Sequence, residues 1–169
     1  MSIYGSQFPK MYLKPGKMFI GRKPAEVTTI LGSCVSVIFF SPNHKIGAIC
    51  HALLPSGKSE GDWYKYVDSS IDRMLEEFRN YGVDCREIQV KLFGGSDMFA
   101  VSNPDSLSVG RQNIQAALKI IEAQGLNLVA SDVGGNACRK LVFFPHSGEV
   151  LLKRHRAYNA SGSDERVLE

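Results

Sequence analysis

The sequence has no Cys-x-x-Cys pair, no long apolar run and little net charge, and each absence removes a class of function. Its four cysteines, Cys34, Cys50, Cys85 and Cys138, are scattered along the chain. That spacing makes neither a zinc-ribbon ligand set nor a dithiol redox motif, and the chain is not a small disulfide scaffold, so free thiols are expected. No apolar run approaches the roughly 20 residues that a membrane helix needs. The opening residues, Met1-Ser2-Ile3-Tyr4-Gly5-Ser6-Gln7, lack the charged start and apolar centre of a signal peptide. A cytoplasmic location without membrane insertion is therefore the expectation. A net charge of +3 is too weak to argue for nucleic acid. Neither a Walker loop nor a dinucleotide fingerprint is found, and no cofactor is expected.

What is present is globular. Of 169 residues, 44% are hydrophobic and 22% charged, which suits one domain over 1–169 with a substantial core. Residues 1–11 read as a loose leader and 159–169 as a frayed tail. Met11-Tyr12-Leu13 and Met18-Phe19-Ile20 read as short strands. Ile71, Met74, Leu75 and Phe78 trace a helical stripe, with Asp68 or Ser69 as its cap and Gly82 as its stop. Residues 86–93 alternate as a half-buried strand. Ile114, Ala117, Leu118 and Ile121 mark the buried stripe of a second helix that stops at Gly125. Residues 126–133 form a further strand, and 140–144 with 149–153 a hairpin about Pro145-His146-Ser147-Gly148. Strands outnumber helices and two strand-to-strand turns are clear. The fold class expected is α+β with a largely antiparallel sheet.

The chemistry concentrates on Thr28-Thr29-Ile30-Leu31-Gly32-Ser33-Cys34 and on His51-Ala52-Leu53-Leu54-Pro55. Apolar residues 35–40 and 46–54 form two strands about a turn rich in Pro, Asn and Ser. With Pro42-Asn43 alone as the loop, Cys34 lies directly opposite His51. With a loop over 41–45, His51 falls opposite Val35 and is only diagonal to Cys34. A thiol beside an imidazole is a nucleophile with its base, and Thr28 is the candidate third member. Glycine at 32 lets the chain turn sharply before Cys34, and backbone N–H groups near Ser33 or Cys34 are candidate oxyanion donors. The turns Gly94-Gly95-Ser96-Asp97 and Gly134-Gly135-Asn136 each follow a strand and either bind an anion, line a cleft or are ordinary tight turns. A plain buried cysteine and a satisfied core histidine are the competing reading of Cys34 and His51. A metal site is not expected, because Cys50 and His51 are adjacent in a strand and face opposite ways. The loop 56–62 reads as a candidate flap beside the histidine.

These segments resemble the CheD family of chemoreceptor glutamine deamidases. The likeness runs through Thr28, Leu31-Gly32-Ser33-Cys34-Val35, His51-Ala52-Leu53-Leu54-Pro55, Lys91-Leu92-Phe93-Gly94-Gly95-Ser96-Asp97-Met98-Phe99, Gly110-Arg111-Gln112-Asn113, Asp132-Val133-Gly134-Gly135, Arg139 and Gly148. It departs at Gln112, where the family's usual pattern has arginine. The resemblance implies Cys34 as nucleophile, His51 as base and Thr28 as third member, with Gly32, Ser33, Gly94 and Gly95 around the substrate or its oxyanion. It implies packed mixed β-sheets with flanking helices, as in the cytotoxic necrotizing factor toxins. It also implies glutamine side chains of methyl-accepting chemoreceptors as substrate, receptor methyl esters as a side substrate, and the phosphatase CheC as a partner. The alternative is a non-catalytic adaptor that docks on receptors or on CheC.

Overall fold

The computed structural model describes residues 7–57, 60–98, 106–156 and the strand 166–168. The fold is α+β and has three layers: two five-stranded sheets face to face, and two helices on the outer face of one of them. The strands are β1 Lys10–Tyr12, β2 Met18–Gly21, β3 Glu26–Leu31, β4 Val35–Ser41, β5 Ile46–Cys50, β6 Gln89–Gly94, β7 Asn127–Val133, β8 Ala137–Phe144, β9 Glu149–Arg156 and β10 Arg166–Leu168. The helices are α1 Val67–Asn80 and α2 Val109–Ala123.

One sheet runs β1-β3-β8-β9-β10 and the other β2-β5-β4-β6-β7. Most neighbours are antiparallel. The pairs β1–β3 and β6–β7 are parallel, and α2 makes the crossover that the second of these requires. The alternation of side chains sorts the core into two parts. Val35, Val37 and Phe39 of β4, with Ala48 and Cys50 of β5, face α1 and α2, where Ile71, Met74, Phe78, Ala117 and Ile121 meet them. Ile38 and Ile49 face the other way, against Val27 and Leu31 of β3 and Leu141 and Phe143 of β8. The central strand β4 is buried on both faces, which explains its mostly apolar sequence, interrupted by the buried Ser36.

Several local expectations need correction. Helix α1 begins at Val67 with Tyr66 at its N-cap, and neither Asp68 nor Ser69 caps it. Inside the first turn, Asp68 instead accepts from the Gly57 and Ser69 amides, and Ser69 Oγ donates back to the Trp63 carbonyl. The strand expected from residue 86 begins at Gln89, because Asp84 and Glu87 form a capping box around a short 3₁₀ turn. Leu118 is exposed, and Asn113 takes a place on the buried stripe of α2 with Ala117 and Ile121. Residues 10–12 are a paired strand rather than leader, and residues 166–168 add to β9 rather than fray. The candidate flap includes residues 58–59, and the quoted motif ends at Phe99. Those residues, 1–6 of the leader and most of the tail lie outside the described part.

Candidate active site

Cys34 and His51 sit where β4 and β5 begin and end, at the edge of the inter-sheet core. The β4–β5 ladder pairs Ser41 with Ile46 and Ile38 with Ile49, so the turn is Pro42-Asn43-His44-Lys45. Lys45 closes it in the left-handed region, at φ 49°. The same register continues to Val35 and Ala52, which exchange both backbone hydrogen bonds, at 3.0 and 2.9 Å. Neither expected register is found. Cys34 falls opposite Leu53 and diagonal to His51, and His51 falls opposite Ser36. Parity nonetheless puts Cys34 and His51 on one face, the inter-sheet face, where Cys34 packs against the cluster of Leu31, Ile38 and Ile49. Diagonal pairs are separated by about 7–8 Å at Cα, within reach of long side chains. Among the described residues no hydrogen bond joins the thiol to the ring.

The hydroxyl on the imidazole belongs to Thr29, not to Thr28. Thr29 Oγ1 lies 2.7 Å from His51 Nδ1. Along β3 the buried residues are Val27, Thr29 and Leu31, so Thr28 falls on the opposite face. Thr29 Oγ1 also donates to the Leu13 carbonyl at 2.9 Å. A hydroxyl has one proton. With that proton on Leu13, Oγ1 can only accept from Nδ1–H, and the ring is the Nδ1–H tautomer. Its Nε2 is then an unprotonated acceptor, and it carries no hydrogen bond among the described residues. Both Thr29 and His51 are buried and Cys34 is half-buried.

Burial sets the charges. It pulls the His51 pKa down to about 4, so the ring is neutral near pH 7. Burial also pushes the Cys34 thiol up, partly offset by its own backbone N–H. The resting pair is a neutral thiol and a neutral imidazole, not an ion pair.

The remaining expected residues hold the Cys34 turn. The Gly32 carbonyl accepts from Ser96 N–H and the Cys34 carbonyl from Gly95 N–H, both at 2.9 Å. The Gly95 donor is therefore occupied and is not a free oxyanion donor. Gly94 has φ 106°, and a Cβ there would run into the Cys34 carbonyl oxygen and Val35 Cα. Asn113 donates to the Ser33 and Leu53 carbonyls, at 3.0 Å each. Behind this turn, Arg139 binds Asp132, Ser96 Oγ and the Gly134 carbonyl. The Gly134-Gly135 turn, open to anion binding from sequence, is thus tied to the Gly94–Ser96 turn through Arg139 and through Gly134 N–H on the Gly94 carbonyl. At the rim, Met98 Cγ lies 3.4 Å from where a Cβ on Gly32 would sit, and both Met98 and Leu54 are exposed. Among the described residues no group of His, Cys, Asp and Glu is arranged to hold a metal ion.

The chain matches the family described as CheD chemotactic sensory transduction over residues 53–154. A Geobacter sulfurreducens protein named probable chemoreceptor glutamine deamidase CheD 2 is 52% identical over 150 residues, covering 88% of this chain and 91% of that one. The chain belongs to the CheD family. A probable chemoreceptor glutamine deamidase CheD of Maridesulfovibrio salexigens is 42% identical, with 88% of this chain and 94% of that one covered. A Neisseria meningitidis crystal structure of the DUF152 family overlaps at TM-score 0.43 and 12% identity, covering 76% of this chain and 63% of that one. Sequence reasoning on this CheD chain left the register of the thiol and imidazole open between two alternatives, and it missed Thr29 and Asn113. Asn113 had a signal, since it is the polar residue spaced four before Ala117 and eight before Ile121 on an apolar stripe.

Proposed function

We propose that this protein converts glutamine side chains of chemoreceptors to glutamate, with Cys34 as nucleophile, His51 as base and Thr29 as the residue that fixes the ring. The observation that carries this reading is the single Thr29 proton. Because it is taken by Leu13, His51 presents a bare Nε2 on the face that carries Cys34. The named function of the curated relatives supplies the substrate class.

The steps follow from those positions. Cys34 Sγ gives its proton to Nε2 as it attacks the glutamine Cδ, and the C–S bond forms. The carbonyl oxygen becomes an oxyanion near the Cys34 N–H. The Nε2 proton passes to the amide nitrogen, the C–N bond breaks and ammonia leaves. Water then gives a proton to Nε2 and adds to the thioester, and Sγ leaves and recovers the proton. Glutamate remains, one negative charge richer, which changes repulsion along a receptor helix face. A neutral resting pair suits this sequence, since the base is free to take a proton at pH 7. Exposed Met98 and Leu54 at the rim suit contact with an apolar stripe flanking the target glutamine. The same groups serve attack on a receptor methyl ester, with methanol leaving in place of ammonia. CheC is proposed as a partner on the family resemblance alone.

The test incubates a purified receptor cytoplasmic fragment with the wild type and with Cys34→Ala and His51→Ala, and reads each glutamine by peptide mass spectrometry. Conversion by the wild type and none by either variant is expected. Equal conversion by all three, or none by the wild type on a fragment it binds, would return the protein to an adaptor role.

A further inference from the structure

Asn113 is fully buried on α2, and its side-chain amide joins the two segments that carry the reactive groups. One N–H donates to Ser33 C=O, the residue before Cys34, and the other to Leu53 C=O, directly opposite Cys34 in the register. Its own Oδ1 is buried with no partner among the described residues. Buried orphan acceptors are uncommon. This position keeps two donors and leaves an acceptor unsatisfied, which a packing role does not require. An apolar side chain would fill the stripe equally well beside Ala117 and Ile121.

The geometry of the peptide unit says what the donors do. In a trans peptide the C=O of one residue and the N–H of the next point in opposite directions. The helices lie on one side of the β4 sheet and the inter-sheet core on the other. A Ser33 carbonyl drawn toward α2 therefore turns the Cys34 N–H toward the inter-sheet side, where Sγ lies. In keeping with this, the Cys34 N–H donates to no backbone carbonyl among the described residues. Gly95 N–H on the Cys34 carbonyl holds the following peptide from the other end.

We propose that Asn113 is a positioning residue: it fixes the Ser33–Cys34 peptide so that the Cys34 N–H is aimed, ready and unoccupied, at the oxyanion formed when Sγ adds to a carbonyl. The proposal rests on Cys34 acting on a carbonyl substrate, but not on that substrate being a receptor glutamine.

The experiment compares two electrophiles at Cys34 in the full chain, followed by mass spectrometry of the Cys34 peptide, in the wild type and Asn113→Asp. Aspartate keeps the shape of the side chain and removes both N–H donors. Iodoacetamide alkylates Sγ at a saturated carbon, iodide leaves, and no oxyanion forms. With p-nitrophenyl acetate, Sγ forms a C–S bond to the carbonyl carbon and p-nitrophenolate leaves through an oxyanion. Asn113→Asp is expected to slow acylation by about 10²–10³-fold, the loss typical of one oxyanion donor, while alkylation changes little. On receptor fragment, kcat falls and KM holds. Equal slowing of both reactions would assign Asn113 to the thiol or to the fold alone, and no slowing of acylation would remove its role; either overturns the proposal. If the variant does not fold, NMR of the Cys34 amide in the wild type decides. A small aldehyde adds to Sγ as a hemithioacetal, and the Cys34 amide proton should move downfield and gain exchange protection. An unmoved amide overturns the proposal. A wild type that is acylated but never deamidates receptors would defeat the deamidase reading and leave this one standing.

Discussion

Thr29 decides which imidazole nitrogen is free, and the decision is testable at that residue. Thr29→Val keeps the shape and loses the hydroxyl, so the ring is no longer held through Nδ1. Deamidation is expected to fall about 10²-fold, in line with the loss of an orienting partner to a general base. Thr28→Val, on the other face of β3, is expected to leave the rate close to wild type, and Thr29→Ser to restore most of it. Steady-state assays of the three variants check this, and a larger loss at Thr28 than at Thr29 would reverse the assignment. Residue scale is also where sequence reasoning was weakest. Two adjacent threonines differ only in the face they point to, and that depends on the phase of β3 against β8, a pairing far apart in the chain. Nothing local reports it.

Burial of His51 makes a second prediction at this scale. Its folded pKa is about 4, against an ordinary value of 6.5. Between those values the unfolded chain holds a proton there that the native protein does not. Stability is therefore complete above about pH 6.5 and declines as pH falls toward 4, by up to about 3 kcal/mol. Denaturant melts of the wild type and His51→Gln over pH 4–7 check it. The variant should lose less stability on acidification, and parallel curves would mean the ring is not held neutral.

At the scale of elements, the β4–β5 hairpin sets the relation between Cys34 and His51, the proposed nucleophile and base. A strand alternates faces, so the turn Pro42-Asn43-His44-Lys45 acts on the site through parity alone. Deleting Asn43 should force a one-residue slip or a strained turn, and abolish deamidation while the helical far-UV signal remains. Lys45 is a non-glycine residue at φ 49°, and Lys45→Gly should stabilise by up to about 1 kcal/mol if relief of that conformation exceeds the added chain entropy. Thermal melting reads the sign. Elements were the most legible feature of the sequence. Apolar runs, alternation and glycine stops located both helices and most strands. What failed was local: the N-cap of α1, which is Tyr66 in an extended conformation, the start of β6 at Gln89, and Leu118, which is exposed while Asn113 is buried.

Across the whole molecule, the site is a seam between two sheets. β3 brings Thr29, and β4 and β5 bring Cys34 and His51 from the facing sheet. The clamp that closes the seam is ionic. Arg139, buried, and Arg154, from neighbouring strands of one sheet, both bind Asp132 of the other. Burial pushes the Asp132 carboxyl up, but the two arginines outweigh it and hold its pKa below the ordinary range. Asp132→Asn should leave Arg139 buried without its counter-charge and cost about 3–5 kcal/mol, measured by denaturant melts. Little of this was legible in advance. The α+β class follows from element order, but the parallel β1–β3 contact and the assignment of β8 and β9 to the opposite sheet are long-range pairings without a local signature.

The most direct measurement is to catch the covalent intermediate. Enzyme and receptor fragment are mixed, quenched in acid on the millisecond scale and digested, and the Cys34 peptide is weighed. A thioester linking Cys34 to a receptor glutamine residue, formed with loss of ammonia and absent in Cys34→Ser, is the predicted result. Glutamate appearing at wild-type rate in Cys34→Ala, with no adduct at residue 34 at any time, would contradict it.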